Sequence, residues 1–186
     1  MEKILKPRRV FVNPIFKDKA TVLKSAEETD GSYMLAELIV YPGGGNSMHT
    51  HHAFEETFIA VEGKLGVVLN NKKYYLQPGE SVTVPLHAPH HFFNDGKEPV
   101  TCHIRFTPGH EGFVKGIAIA YGLAADGKTN EKGIPKNFIH LALVVILTDT
   151  KPTGLLGMLF PVFKWIAAIA KKNGTEELLL KKYYYM

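Results

Sequence analysis

Three histidines and two glutamates lie close together in the stretch GGGNSMHTHHAFEETFIAVEG, residues 43–63. Alternate residues of a strand point to the same face, so His49 and His51 are expected to project together. Glu56 follows five positions later, and its carboxylate reaches the two imidazoles if the chain folds back. Two imidazoles and a carboxylate are the donors that a divalent transition metal prefers in proteins. The spacing therefore indicates part of a metal site.

A further ligand has to come from a distant segment, and the sequence PHH at residues 89–91 offers His90 and His91. Such a set of donors suits Fe²⁺, Mn²⁺, Ni²⁺, Zn²⁺ or Cu²⁺ and is too rich in nitrogen for Ca²⁺ or Mg²⁺. A cysteine-based zinc site is excluded, because Cys102 is the only cysteine. The alternative is a solvent-exposed turn that is rich in histidine and binds no metal.

Two motifs in this region resemble those of the cupin family. The family's first motif is Gly-x5-His-x-His-x3–4-Glu-x6-Gly, and its second is Gly-x5-Pro-x-Gly-x2-His-x3-Asn. The matching positions in this chain are Gly43, His49, His51, Glu56, Gly63, Gly79, Pro85, His90 and Asn94. One position departs from the family, since His87 stands where a glycine usually shapes the turn.

The resemblance covers roughly residues 34–107 and implies a β-barrel of six to eight strands that is open at one end. It also implies that His49, His51, Glu56 and His90 bind the metal, whether Fe, Mn, Ni or Zn. Glu56 rather than Glu55 fits the gap to the next motif glycine, and strand alternation turns the neighbouring His52 and His91 away.

The rest of the chain divides near residue 109. Short alternating segments separated by Gly, Pro, Asn and Asp precede that point and predict a mainly β domain over residues 1–109, a jelly-roll-like cupin barrel. Residues 110–186 predict a helical C-terminal extension, packed on the barrel or at a dimer interface. Its helices are expected over Glu111–Ala125, Asn137–Asp149, Thr153–Gly174 and Thr175–Lys182.

The strand at residues 101–107 carries polar residues on one face, among them His103 and Arg105. If that face lines the barrel, His103 and Arg105 are candidate substrate-binding residues for an anion, with Arg105 pairing in a bidentate manner. The alternative, which we favour, is that Cys102 and its neighbours face the core and the polar side chains face water. Glu37 presents the same choice between a pocket acid and a solvent-facing carboxylate.

Charge and hydropathy exclude several classes of protein. The formal net charge of +4 is spread over scattered lysines, without the dense basic stripe that nucleic-acid binding requires. No apolar run near the N-terminus is long enough for a signal peptide, and the single cysteine fits a reducing cytoplasm. The apolar run at residues 154–170 would reach about 26 Å as a helix. Because it contains Pro161 and Lys164, we favour packing on the barrel or between subunits over peripheral membrane contact or a span.

These features lead to two hypotheses about function. The first is a small metal-dependent enzyme acting on a small organic molecule, with dioxygenase-type oxidation ahead of an isomerase or lyase reaction. The second is a non-enzymatic module that binds a small ligand or a sugar. No residue beyond the metal ligands is assigned a catalytic role, and a homodimer is expected because the helices need a partner for their apolar faces.

Overall fold

Two antiparallel sheets form the framework of the chain in a computed structural model that describes residues 6–185. One sheet has six strands in the order β1-β2-β3-β10-β5-β8, and the other has five in the order β11-β4-β9-β6-β7. The strands are β1 (Val10–Asn13), β2 (Asp18–Lys24), β3 (Met34–Val40), β4 (His49–Thr50), β5 (Glu55–Glu62), β6 (Leu65–Leu69), β7 (Lys72–Leu76), β8 (Ser81–Val84), β9 (His90–Phe93), β10 (Val100–Thr107) and β11 (Lys151–Pro152). This is the predicted jelly-roll-like arrangement.

Strand alternation decides which side chains fill the space between the sheets. On β10, Cys102, Ile104 and Phe106 are buried, whereas the residues between them are more exposed. Burial raises the pKa of the Cys102 thiol well above its usual range, so this cysteine is an inert core residue. The cytoplasmic location that we inferred from the single cysteine stays a prediction.

The helices follow β10 directly. They are α1 (Glu111–Ala125), α2 (Phe138–Leu147), α3 (Leu155–Met158), α4 (Phe160–Lys172) and α5 (Thr175–Tyr183), after a 3-10 turn at Glu27–Thr29 in the barrel. The first, second and last helices lie where the sequence predicts them. The predicted helix over Thr153–Gly174 is wrong in one respect, since it is divided into α3 and α4. Pro161 lies in the first turn of α4, where its missing N–H has no helical partner to lose.

The helical extension shares one core with the sheets. Buried residues of α1, including Val114, Ile119 and Leu123, belong to the same apolar cluster as the inner faces of the strands. Strand β11 lies within the extension and pairs with β4, so the extension also adds an edge strand to the smaller sheet. The Tyr121 hydroxyl on α1 donates a hydrogen bond of 2.9 Å to the buried carboxylate of Asp18 on β2. The helices therefore complete the fold of the barrel.

Strands β1 and β11 were not predicted from the sequence. The residues of β1 follow a charged, proline-containing segment, and β11 has only two residues, too few to show an alternating pattern. Both owe their extended conformation to pairing with β2 and β4. Over residues 6–185, none of the helices combines the length and the apolar character needed to cross a membrane.

Candidate metal centre

The strands bring the four predicted ligands to one point between the sheets. His49 on β4 lies directly opposite His90 on β9, and His51 follows β4 by one residue. Glu56 reaches the same point from β5 in the facing sheet. One donor atom from each of the four residues lies within 4.8 Å of the other three, and all four side chains are buried. The ligand set implied by the cupin resemblance is thus a single cluster.

The neighbouring residues lie outside the cluster. On β5, Glu55 is exposed while Glu56 is buried, because successive side chains of a strand point to opposite faces. The His52 ring packs at 4.4 Å, centroid to centroid, on the ring of His87. His91 points to the other face of β9 from His90. The structure therefore separates the ligands from their neighbours as the alternation predicts.

Backbone carbonyls hold the three imidazoles in one tautomer. The Nδ1 atom of His49 lies 2.7 Å from the Ser47 carbonyl oxygen, that of His51 lies 3.0 Å from Asp149, and that of His90 lies 3.0 Å from Ala88. A carbonyl oxygen only accepts hydrogen bonds, so each Nδ1 must carry the proton. The neutral rings of His49 and His51 then present a bare Nε2 to the centre of the cluster, which is the arrangement of metal-binding histidines, and His90 does so once its Nε2 proton leaves the hydrogen bond to Glu56.

Burial also favours the neutral rings. It lowers the pKa of His49 to about 3, with further lowering by His51 and His90. Burial likewise lowers the pKa of His51 to about 3, with His90 as the next cause. For His90, burial opposes protonation, but the hydrogen bond to Glu56 and its charge outweigh it and raise the pKa. At neutral pH the rings of His49 and His51 are therefore uncharged, with the proton on Nδ1 and the lone pair of Nε2 free.

The distances between the donor atoms fit a bound cation. His49 Nε2 and His51 Nε2 are 3.1 Å apart, and His90 Nε2 is 2.8 Å from Glu56 Oε2. Two ligands at right angles around a metal with bonds of about 2.1 Å are separated by about 3 Å. Without a cation, the facing lone pairs of His49 and His51 would repel each other. The donor set thus fits a divalent transition metal, whose identity the residues leave open.

The helical extension orients one of the ligands. Besides the carbonyl contact to His51, Asp149 accepts two backbone N–H hydrogen bonds through its carboxylate, from His52 at 2.5 Å and from Ala53 at 2.6 Å. These contacts hold the loop that carries His51 against the end of α2. Sequence reasoning missed Asp149, because it is separated from His51 by 98 positions and belongs to no motif.

The unusual His87 keeps the turn that a glycine would make. Its φ angle is 66°, in the left-handed region that glycine adopts without strain. Its N–H donates a 2.8 Å hydrogen bond to the His51 carbonyl, so this turn also contacts the ligand loop. The departure from the motif leaves the backbone in place, and the cost is the strain of a side chain at positive φ.

A cavity of about 240 Å³ opens onto the cluster, with His49, His51 and Glu56 in its wall. Most of the remaining wall is aliphatic or aromatic and comes from both sheets, α1 and α2. These lining residues include Phe11, Val22, Met34, Leu38, Ile104, Phe106, Phe113, Ile117, Leu141 and Val144. The polar side chains in the cavity wall include those of Tyr121 and Thr148. Among the described residues, Lys132 is the only lysine or arginine that lines the cavity. The helical extension therefore forms one side of the cavity.

His103 and Arg105 lie on the outer face of β10 and do not line the cavity. His103 Nε2 is 3.9 Å from Glu37 Oε2, and the Arg105 guanidinium stacks at 4.5 Å on the ring of Tyr33. The polar face of β10 does not line the barrel, because Ile104 and Phe106 occupy the inner face. Glu37 shares the outer position, so it is a surface carboxylate.

Comparison with known proteins supports the motif assignment. The sequence profile of the cupin domain matches residues 36–105. An uncharacterized protein of Methanocaldococcus jannaschii is 33% identical over 66 residues, which are 36% of this chain and 53% of that protein. Mannose-1-phosphate guanylyltransferase ManC of Salmonella typhimurium is 35% identical over 68 residues, which are 37% of this chain and 14% of the enzyme. The chain thus spans about half of the first relative and a small part of the second.

Solved structures resemble the barrel. KdgF from Halomonas sp. is 17% identical with a TM-score of 0.49, and the aligned part covers 60% of this chain and 93% of the KdgF chain. A predicted oxalate decarboxylase from Thermotoga maritima is 16% identical with a TM-score of 0.48, and the aligned part covers 58% of this chain and 96% of the Thermotoga chain. At these identities and TM-scores the likenesses say nothing about activity. Residues 36–105 thus match a cupin domain, and the four ligands that the resemblance implies lie within that segment as one cluster.

Proposed function

We propose that this protein is a metal-dependent enzyme that acts on a small, uncharged and largely apolar organic molecule, with dioxygenase-type oxidation as its reaction. The observation that carries the proposal is the apolar cavity that opens onto the four-residue cluster. A buried cluster of metal-binding side chains beside an apolar pocket has the arrangement of a reaction site, since small-molecule sites are mostly apolar with a few polar groups.

The side chains around the cavity supply the binding and the protection that such a reaction needs. The aromatic and aliphatic walls bind an apolar substrate by removing its surface from water. They also exclude water from the site, which strengthens electrostatic interactions there. Among the described residues that line the cavity, Glu56 is the only one with a carboxylate. It is therefore the group that can accept a proton from a bound substrate. A divalent transition metal, when bound by the cluster, supplies Lewis acidity or redox chemistry with O₂.

Two other substrates fit the cavity less well. An anion lacks the partners that His103 and Arg105 would have provided if their face of β10 lined the barrel, because both lie outside the cavity. A sugar, which our binding-module hypothesis and the name of the Salmonella relative suggest, carries hydroxyl groups that need polar partners when they are buried. The walls offer few such partners. An isomerase or lyase reaction on an apolar carbonyl compound uses the same pocket and is the second candidate.

The first experiment measures metal in the purified protein and in single alanine variants. His49→Ala and His51→Ala should lose metal, whereas His52→Ala is the matched control beside them and should retain it. Oxygen uptake is then measured with a panel of small apolar cyclic compounds, dicarboxylates and sugars. Turnover of apolar compounds that disappears in His49→Ala supports the proposal. Equal metal in all variants, or turnover restricted to dicarboxylates or sugars, contradicts it, and tight binding without turnover favours the non-enzymatic module.

A further inference from the structure

Helix α4 leaves a row of large apolar side chains uncovered. Its inner face, with Phe163 and Ala170, packs into the core. Val162, Trp165 and Ile169 follow one another at intervals of three and four residues on the outer face, where they are 43%, 67% and 44% exposed. Residues at this spacing share one side of a helix. The helix is therefore apolar on the side that faces away from the rest of the protein.

The same part of the chain holds the whole excess of positive charge. Residues 151–186 contain six lysines and two glutamates, so their formal charge accounts for the net +4 of the entire protein. Lys164, Lys171 and Lys172 are exposed on α4, which contains no acidic residue. One of the two glutamates, Glu177 on α5, is already paired with Lys181 at 2.6 Å. The uncovered apolar row is thus bordered by unneutralised lysines.

These two properties together select among the partners that could cover the helix. A second copy of the chain, paired through the same face, would bring the lysines of both helices together without acidic groups between them, and like charges repel. A nucleic acid would satisfy the lysines but would leave Trp165 and Ile169 against a charged backbone. An anionic lipid surface satisfies both, because the apolar row enters the acyl boundary while the lysines contact headgroups.

We propose that α4 is a membrane-surface helix that docks this protein on anionic lipid bilayers. The helix has 13 residues and lies along the interface rather than across the bilayer. Tryptophan prefers the boundary between headgroups and acyl chains, so Trp165 is the anchor of the contact. The homodimer expected from the sequence then has to use another surface of the chain.

The experiment uses Trp165 as its own probe, since it is the only tryptophan in the chain. The full-length protein is mixed with vesicles of phosphatidylcholine alone or of phosphatidylcholine with phosphatidylglycerol. We expect the Trp165 emission to shift to the blue, and the protein to sediment, with the anionic vesicles only. Each lysine removed near an anionic surface costs about fivefold in affinity. The triple variant Lys164→Gln/Lys171→Gln/Lys172→Gln should therefore bind about a hundredfold more weakly.

A matched triple variant in the barrel, Lys24→Gln/Lys64→Gln/Lys97→Gln, removes the same charge from other exposed lysines and should bind as the unaltered protein does. No blue shift with anionic vesicles overturns the proposal and leaves an acidic protein partner as the occupant. Equal binding to neutral vesicles, or equal weakening in both triple variants, overturns the role assigned to the lysines. A blue shift that appears on concentrating the protein without lipid identifies the face as a subunit interface and also overturns the proposal.

Discussion

The carboxylate of Asp149 connects the helical extension to the metal cluster, and its removal should weaken metal binding without touching a ligand. We consider Asp149→Gly and its control Asp149→Asn. Asp149 has a φ angle of 49°, which glycine and asparagine both accept. Both variants keep the carbonyl oxygen that contacts His51, and asparagine also keeps a side-chain oxygen that accepts hydrogen bonds.

The size of the effect follows from the hydrogen bonds that are lost. The carboxylate accepts the N–H groups of His52 and Ala53, of which the first is partly buried and the second is exposed. Hydrogen bonds to charged groups contribute about 1.5–3 kcal/mol each, and less where water replaces them. Relief of the left-handed backbone by glycine returns about 1 kcal/mol. Asp149→Gly should therefore lower the free energy of unfolding by about 1–3 kcal/mol, and Asp149→Asn by less.

The consequence for metal binding is comparable in free energy to this loss of stability. Once the loop is released, the ring of His51 is no longer oriented by the Asp149 carbonyl, and the loss of such supporting contacts typically weakens metal affinity about 10–100-fold. The assay is a Co²⁺ titration followed by visible absorption, together with urea unfolding of the metal-free protein. In a His51→Ala background, Asp149→Gly should have no further effect on Co²⁺ affinity, because the oriented ligand is already gone.

Two results would refute this reasoning. If Asp149→Gly loses stability but binds Co²⁺ with unchanged affinity, the residue supports the fold alone. If the effects of Asp149→Gly and His51→Ala on affinity are additive, the contact does not act through the ligand. Should Asp149→Gly fail to fold, hydrogen exchange on the unaltered protein replaces it. Added Co²⁺ should then slow exchange of the His52 and Ala53 amides, and unchanged rates would contradict the coupling.

Three further predictions concern other residues of the fold and site. His87→Gly should be more stable than His87→Ala by about 1 kcal/mol in urea unfolding, since only glycine removes the strain of positive φ; equal stability would show that the turn relaxes. Burial raises the pKa of Asp18 from 3.8 to about 7 despite the hydrogen bond from Tyr121, so the folded state holds this proton more tightly than the unfolded chain. Stability should therefore fall as the pH rises from about 4 to 7, by on the order of 4 kcal/mol relative to Asp18→Asn, and parallel unfolding curves for the two proteins against pH would contradict this. His90→Ala should lose metal by elemental analysis while His91→Ala retains it, and loss in both would mean that β9 is disturbed as a whole.

Local sequence was sufficient for the features that depend on short-range geometry. His49 and His51 share a face because they are two residues apart in an extended segment, and Glu56 is buried while Glu55 is not for the same reason. Helix α1 has the bounds that its sequence predicts, because its periodic apolar residues end at a turn-forming segment. The position of His90 followed from the motif, whose spacing reflects the pairing of its strand with that of His49.

Features that join distant segments required the folded chain. Alternation divides β10 into two faces but does not tell which one meets the core, so the placement of His103 and Arg105 stayed open until the facing sheet was known. The contact of Asp149 with the loop of His51 spans 98 positions and leaves no periodic signal. The apolar character of the cavity arises because residues from both sheets and two helices converge on one space. Local spacing thus identified which residues can bind a metal, while long-range packing decided how they are oriented and what surrounds them.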